Sequence, residues 1–327
     1  MSATISGPRK ASYLLLLLTL VVVARFGLGP CLLSGLVSYM ILDVTERRLL
    51  AEHASPRVAR WASVGTFLVL ATMLAWIFVA FLRIGMARLP ILLDTLLPRL
   101  AAFAERFGLD FPADNAKELR DLVVLQAREN TGSIGKTSGL LTRGFFQVLV
   151  GLFAAVMKFL TPAEKGHAGH LYDSLRHEMN ARVSLFLQSF EKVVGAQVVI
   201  SVVNTVLTTG FLHVMGFHFK TFLTLTTFVC GLVPIVGNLV SNAFIVASGL
   251  ITSEQLAMVG LVYLVVIHKL GYFLNSRILG GSIDTPVWMT LLGLVVGEAV
   301  MGVPGVLLAP ALLHYAREEL RAVPHPR

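Results

Sequence analysis

Two apolar stretches near the C-terminus, each about thirty residues long and each interrupted by proline and glycine, constrain this chain more than any other feature. The first runs from Thr221 to Ile251 without a charged residue and is interrupted at Val233-Pro234-Ile235-Val236-Gly237-Asn238. The second runs from Pro286 to Tyr315 with the single charge Glu298, and is interrupted at Gly302-Val303-Pro304-Gly305. Roughly twenty apolar residues span the hydrocarbon core of a bilayer as a helix, so each stretch is longer than one plain crossing needs. A proline inside a helix removes a backbone hydrogen bond, and in lipid the freed carbonyl must find a partner in protein or water. Paired broken segments of this kind are where membrane carriers build their substrate sites.

Composition agrees with a membrane chain. Mean hydropathy is +0.76, and 55% of residues are hydrophobic against 14% charged, whereas soluble domains carry about a quarter charged residues. The length of 327 residues accommodates about seven or eight crossings plus one modest soluble segment. The net charge of +8 does not point to nucleic acid, because the basic residues cluster beside apolar segments, the distribution that orients membrane helices. Cys31 and Cys230 stand alone in apolar runs and form neither a disulfide framework nor a metal-site spacing. No metal or cofactor is expected. The start, Arg9-Lys10 followed by apolar Tyr13 to Val23, has no small-residue cleavage motif after it and reads as a retained first helix.

Along the chain, Tyr13 to Leu42 carries one charge, Arg25, and a turn-prone Gly27-Leu28-Gly29-Pro30. Basic residues on both flanks favour a hairpin of two short helices, with one tilted helix as the alternative. Trp61 to Leu82 reads as an uninterrupted crossing. From Arg83 to Gly139 charges nearly balance, and leucines recur at helical spacing (Leu89, Leu92, Leu93, Leu96, then Leu119 and Leu122), which predicts amphipathic helices against the membrane or one another. Leu140 to Leu160 crosses back, Thr161 to Lys192 is a basic, polar, helical stretch, and Val193 to Phe217 crosses again. Counting each broken segment as one crossing, this predicts an all-α polytopic bundle of about eight membrane helices with a small amphipathic region. The organisation expected is residues 1–82 as N-terminal membrane helices, 83–139 as the amphipathic region and 140–327 as the membrane core. Both termini are expected in the cytoplasm. Lys220, Lys269 and Arg277 then fall on the outer side, against the positive-inside bias.

Several polar residues lie within the apolar helices. Glu298 is the only acid of the second broken segment; a carboxylate at the bilayer centre costs about 2.5–3.5 kcal/mol, so it is expected to face a cavity or a partner and to bind a cation or proton. Asn204, Asn238 and Asn242 offer amides to a hydroxylated solute or to sodium, or else join helices. The helix ends at Pro234-Gly237 and Pro304-Gly305 offer unpaired backbone dipoles. Soluble-enzyme signals fail. Gly135-Lys136-Thr137 lacks the first glycine of a phosphate loop, where Asn130 stands, and His177-Glu178 lacks the second histidine of a zinc-protease helix, where Ala181 stands. No catalytic machinery, and hence no enzyme, is expected.

The break Gly231-Leu232-Val233-Pro234-Ile235-Val236-Gly237, and Pro286 with Gly293, Gly297, Gly302, Gly305 and Pro310, resemble the autoinducer-2 exporter (PerM-like) family of bacterial membrane proteins. Glu298 stands where that pattern has the second glycine of a pair. The resemblance implies a multi-pass protein of the bacterial inner membrane that exports a small polar solute such as a furanosyl signalling molecule, driven by a proton or ion gradient. It also implies assembly as a homo-oligomer. The rival expectations are a sodium(lithium)/proton antiporter and a non-transporting membrane scaffold whose amphipathic region docks a partner.

Overall fold

The structure, a computed structural model of the chain, describes residues 7–106, 134–161, 171–234, 236–278 and 286–322. The described residues form ten helices and no strand: α1 Gly7–Arg25, α2 Gly29–Ala51, α3 Pro56–Arg106, α4 Ile134–Leu160, α5 Leu171–Val214, α6 Lys220–Gly231, α7 Val236–Thr252, α8 Glu254–Ile278, α9 Val287–Met301 and α10 Val303–Ala322. Four of them, α1, α3, α4 and α5, contain windows long and apolar enough to cross a membrane alone. The middle of the amphipathic region, residues 107–133 with Leu119 and Leu122, lies outside the described residues.

The helices divide into two compact units. One comprises Met1–Ala71, Thr142–Gly195 and Gly281–Arg327, the other Thr72–Leu141 and Ala196–Gly280. Each unit is therefore assembled from distant parts of the chain, and α3, α4 and α5 contribute to both.

In the first unit α1 and α2 are separate helices, split at Phe26–Leu28 where Gly27 has φ +62°, so the single tilted helix does not form. Pro30 lies in the first turn of α2, where its missing N–H leaves no bond unmade. Arg143 of α4 donates to the Phe26 carbonyl at 2.6 Å and closes the end of α1. Two apolar clusters hold the unit. Leu42, Phe67 and Phe159 join α2, α3 and α4, while Phe190, Leu308 and Ala311 pack with Leu36 and Val37 and join α2, α5 and α10.

The second broken segment folds back on itself. Gly293 faces Ala309 and Leu313, and Gly297 faces Gly305, so α9 and α10 run antiparallel. Gly302 makes the reversal with φ +64° and ψ −144°, a conformation essentially confined to glycine. With 15 residues, α9 is about 22 Å long at 1.5 Å per residue, short of the roughly 30 Å hydrocarbon core. The first broken segment does the same in the second unit. The Phe222 and Phe244 rings meet edge-to-face at 5.6 Å, Ser248 donates to the His218 carbonyl at 3.0 Å, and Gly237 abuts Cys230 at the tip. The 12 residues of α6 reach only about 18 Å. Each broken segment, counted above as one crossing, is thus a helical hairpin.

Helix α3 also departs from expectation. Instead of ending near Leu82 it continues to Arg106 through Pro90 and Pro98. The onset of charge at Arg83 marks a change of solvent, which backbone hydrogen bonding does not require a helix to heed. Its leucine stripe is covered within the chain: Leu92, 1% exposed, packs with Leu212, Phe222, Leu223 and Ile245. Arg88 lies over the Phe219 ring at 5.9 Å, and Arg99 donates to the Leu250 carbonyl at 3.1 Å.

The first unit holds a partly buried charged cluster that single-segment reading does not reveal. Glu319 of α10 accepts from Arg9 at 3.2 Å and from the Tyr13 hydroxyl, and lies 3.6 Å from Arg182 of α5. Arg182, 4% exposed, also pairs with Glu178 and sits 4.8 Å over the Tyr13 ring. Three distant segments are thereby tied by four charges of balanced sign. Glu319→Ala is expected to cost about 3 kcal/mol, the lower end of what stripping a partner from a buried ion pair costs, because Glu178 still faces Arg182. Thermal melting in detergent measures it; an unchanged midpoint would show that the cluster contributes nothing.

Candidate functional site

The helix α5 carries Gln197, Ser201, Asn204 and Thr208 at successive spacings of four, three and four. That spacing places all four on one face of a helix, and the face is turned to the first hairpin. Pro234 has no N–H, and the turn at Leu232–Pro234 ends α6, so the last carbonyls of that helix lose their intrahelical donors. The α5 stripe supplies replacements. Gln197 donates to the Gly231 carbonyl at 2.6 Å, and Ser201 donates to the Phe228 carbonyl at 2.9 Å. Gly231 lies so close to Ser201 that a Cβ there would press on the hydroxyl.

Farther along the stripe the side chains pair with each other instead of with backbone. Asn204 donates to Asn238 Oδ1 of α7 at 3.3 Å. Thr208 and the Tyr263 hydroxyl of α8 are 2.9 Å apart, and the Tyr263 ring stacks on Phe211 at 3.9 Å. Thr209 meets Thr224 of α6 at 3.2 Å. The result is a polar seam between α5 and the α6–α7 hairpin, inside otherwise apolar helices.

The seam is not saturated. Asn204 Oδ1 and Thr226 Oγ1 are buried with no hydrogen-bond partner. Asn242, one turn beyond Asn238 on α7, is 7% exposed. The antiparallel register of the hairpin, with Phe222 at Phe244 and Cys230 at Gly237, sets Thr226 level with Val240 and Ser241, next to Asn242 in the chain. A buried polar group left unpaired costs about 1–3 kcal/mol, so these two atoms ask for a ligand or water.

The expected site residues therefore separate. Asn204 and Asn238 are joined directly, Asn242 lies on the same helix as Asn238, and Pro234 and Gly237 form the tip of that hairpin. Glu298, Pro304 and Gly305 belong to the first unit. There Pro304 packs on Gly29, Gly305 packs on Gly297, and Glu298 is exposed on α9. Gln197, Ser201, Thr208 and Thr226 were not singled out as site residues beforehand, although the four–three–four spacing on α5 was there to be read.

Long apolar helices, two short hairpins and a polar seam at a helix break define a polytopic membrane protein. The chain belongs to the AI-2E family of transporters: the family model described as "AI-2E family transporter" matches residues 11–324. It is also similar to "Putative transport protein YdbI" of Bacillus subtilis (strain 168), with 28% identity over 127 residues, 38% of this chain and 36% of that protein.

Proposed function

We propose that the protein is a secondary transporter that moves a small polar, hydroxyl-bearing solute across the bacterial inner membrane, using a proton or ion gradient. The observation that carries this reading is the unsaturated seam. The carbonyls freed by the Pro234 break already have donors in Gln197 and Ser201, yet Asn204 Oδ1 and Thr226 Oγ1 are left open. Amide and hydroxyl groups with spare hydrogen-bonding capacity suit a furanosyl solute, the substrate class that the resemblance implies. The sequence offers no phosphate loop, which supports a gradient as the drive. Amide oxygens are also sodium ligands, so sodium(lithium)/proton exchange is the second reading. Purified protein in proteoliposomes, given polar solutes under imposed pH and sodium gradients, should show gradient-dependent solute flux. Cation exchange without solute movement favours the second reading, and no flux in folded protein leaves the scaffold.

We further propose that α1 to α5 and α8 cross the membrane, with the α6–α7 hairpin entering from the outside and the α9–α10 hairpin entering from the cytoplasm and reaching as far as the α1–α2 turn, where Pro304 packs on Gly29. Both termini stay cytoplasmic. Arg277 moves to the cytoplasmic end of α8, which relieves most of the conflict with the positive-inside bias. Glu52 and Gln255 discriminate. In a background with Cys31 and Cys230 replaced, Gln255→Cys should react with an impermeant thiol reagent from outside and Glu52→Cys only from inside. Reaction of both from the cytoplasmic side would return the chain to eight crossings.

A further inference from the structure

We infer that His314 of α10, hydrogen-bonded to Ser189 of α5, is the proton-binding site through which a pH gradient acts on this protein, and that its charge parts α10 from α5. This deepens the gradient-driven reading above and rests on it.

A proton gradient needs a group that changes charge inside the fold, and histidine is the side chain whose ordinary titration falls between about pH 5 and 8. Among the described residues, Arg182 and His314 are the buried ionisable side chains, and an arginine keeps its proton. The acid expected for this role, Glu298, is exposed, as are His53, His177, His213 and His218.

His314 stands on the buried face of α10, at spacings of three after Leu308 and Ala311. Its Nδ1 lies 3.1 Å from Ser189 Oγ, and its Nε2 is buried without a partner. A histidine that only fills a core has its polar atoms paired; this ring keeps one nitrogen open. The partner it does have suits a change of charge. A carboxylate would hold the ring protonated and a backbone N–H would hold it neutral, whereas a hydroxyl can either donate to a bare nitrogen or accept from a protonated one. With Nδ1–H donating to Ser189, the Nε2 lone pair takes the proton and the ring becomes an imidazolium without losing that bond.

The surroundings set what the added charge does. Lys192 of α5 faces His314 across the contact, and α10 itself brings Arg317 and Arg321 against the one acid Glu318. The other charges on the packed helices are engaged elsewhere. Asp43 of α2 and Glu191 of α5 pair with Arg47, and Glu46 pairs with Arg60. Arg9 and Arg182 gather on Glu319, Glu178 pairs with Arg182, and α9 carries no charge but Glu298. A proton on His314 therefore meets Lys192 across the α5–α10 contact, on a face otherwise packed with Phe190, Leu308 and Ala311. Repulsion and the cost of burying a charge both favour separation. His314 is five residues from Glu319, about 7.5 Å farther from the cytoplasmic end of α10, so parting of the two helices also opens the way for the proton.

The test places spin labels at Tyr172→Cys on α5 and Leu320→Cys on α10, both exposed, in a full-length chain with Cys31 and Cys230 replaced. Double electron–electron resonance in lipid nanodiscs should give a longer mean distance at pH 5.5 than at pH 8. His314→Gln should keep the pH 8 distance at both values, and His314→Arg the pH 5.5 distance. Equal distances at the two pH values with His314 in place, or a change that persists in either variant, would overturn the inference. Gradient-driven flux without a His314-dependent change would leave the transport reading standing and remove this site. The distance change without gradient-driven flux would keep His314 as the titrating group and remove the transport reading.

Discussion

Gly305→Leu is expected to prevent the α9–α10 hairpin from closing and to abolish recovery of a monodisperse protein. A Cβ at Gly305 would overlap the carbonyl of Gly297, and one at Gly297 would lie 2.5 Å from the carbonyl of Gly305. Both obstacles are backbone, so no rotamer change relieves them. The penalty should exceed the roughly 1–3 kcal/mol of ordinary overpacking, because the helices themselves must separate. Separation also removes Leu308 and Ala311 from the cluster around Phe190. Gly210→Ala is the control. Gly210 lies inside α5, four residues before its end, with open space at its Cβ position, so this change should be neutral or stabilising by up to about 1 kcal/mol. Size-exclusion profiles and melting temperatures of the two variants measure the contrast. A Gly305→Leu protein that melts like the wild type would mean that the hairpin is not packed as described.

Asn204→Leu is expected to lower solute flux at least tenfold while the protein still inserts and melts nearly as the wild type. Hydrogen bonds between membrane helices contribute only about 0.6–1.7 kcal/mol, so the Asn204–Asn238 pair is a minor part of the stability. Gln197→Leu should behave in the opposite way. It leaves the Gly231 carbonyl without its donor at a helix end, at a cost of about 1–3 kcal/mol, and flux should fall only as far as folded protein is lost. Initial flux per folded transporter, beside melting temperature, separates binding from support. If flux in both variants simply tracks stability, the seam is interhelical glue and the substrate site lies elsewhere.

Much of the architecture could be read in the residues. The break at Val233–Asn238 and the break at Gly302–Gly305 both end helices where proline and glycine predict, since these residues act on the backbone locally. The turn near Gly27 and the choice of Asn204 and Asn238 rest on equally local grounds. The stripe on α5 was legible in its spacing, but its meaning depended on what lay opposite. Nothing within α5 says that Gln197 and Ser201 would be spent on the carbonyls of α6, whereas Asn204 would keep an open oxygen.

Tertiary structure decided the matters of direction and pairing. Apolar length measures how much lipid a segment can face, and it does so equally for a helix that crosses and for one that turns back. The turn-back at Gly302 depends on the close fit of Gly297 to Gly305, a contact between residues that only folding brings together. Arg9, Glu178, Arg182 and Glu319 read separately as solvated flanking charges, and only the packing of α1, α5 and α10 makes them one partly buried network. The face that Glu298 presents is likewise set by how α9 lies on α10. By itself the sequence determined the membrane as solvent and where the helices break, because hydropathy and backbone chemistry act locally. Which polar groups meet, and which remain unpaired, required the fold, because pairing depends on distances between segments far apart in the chain.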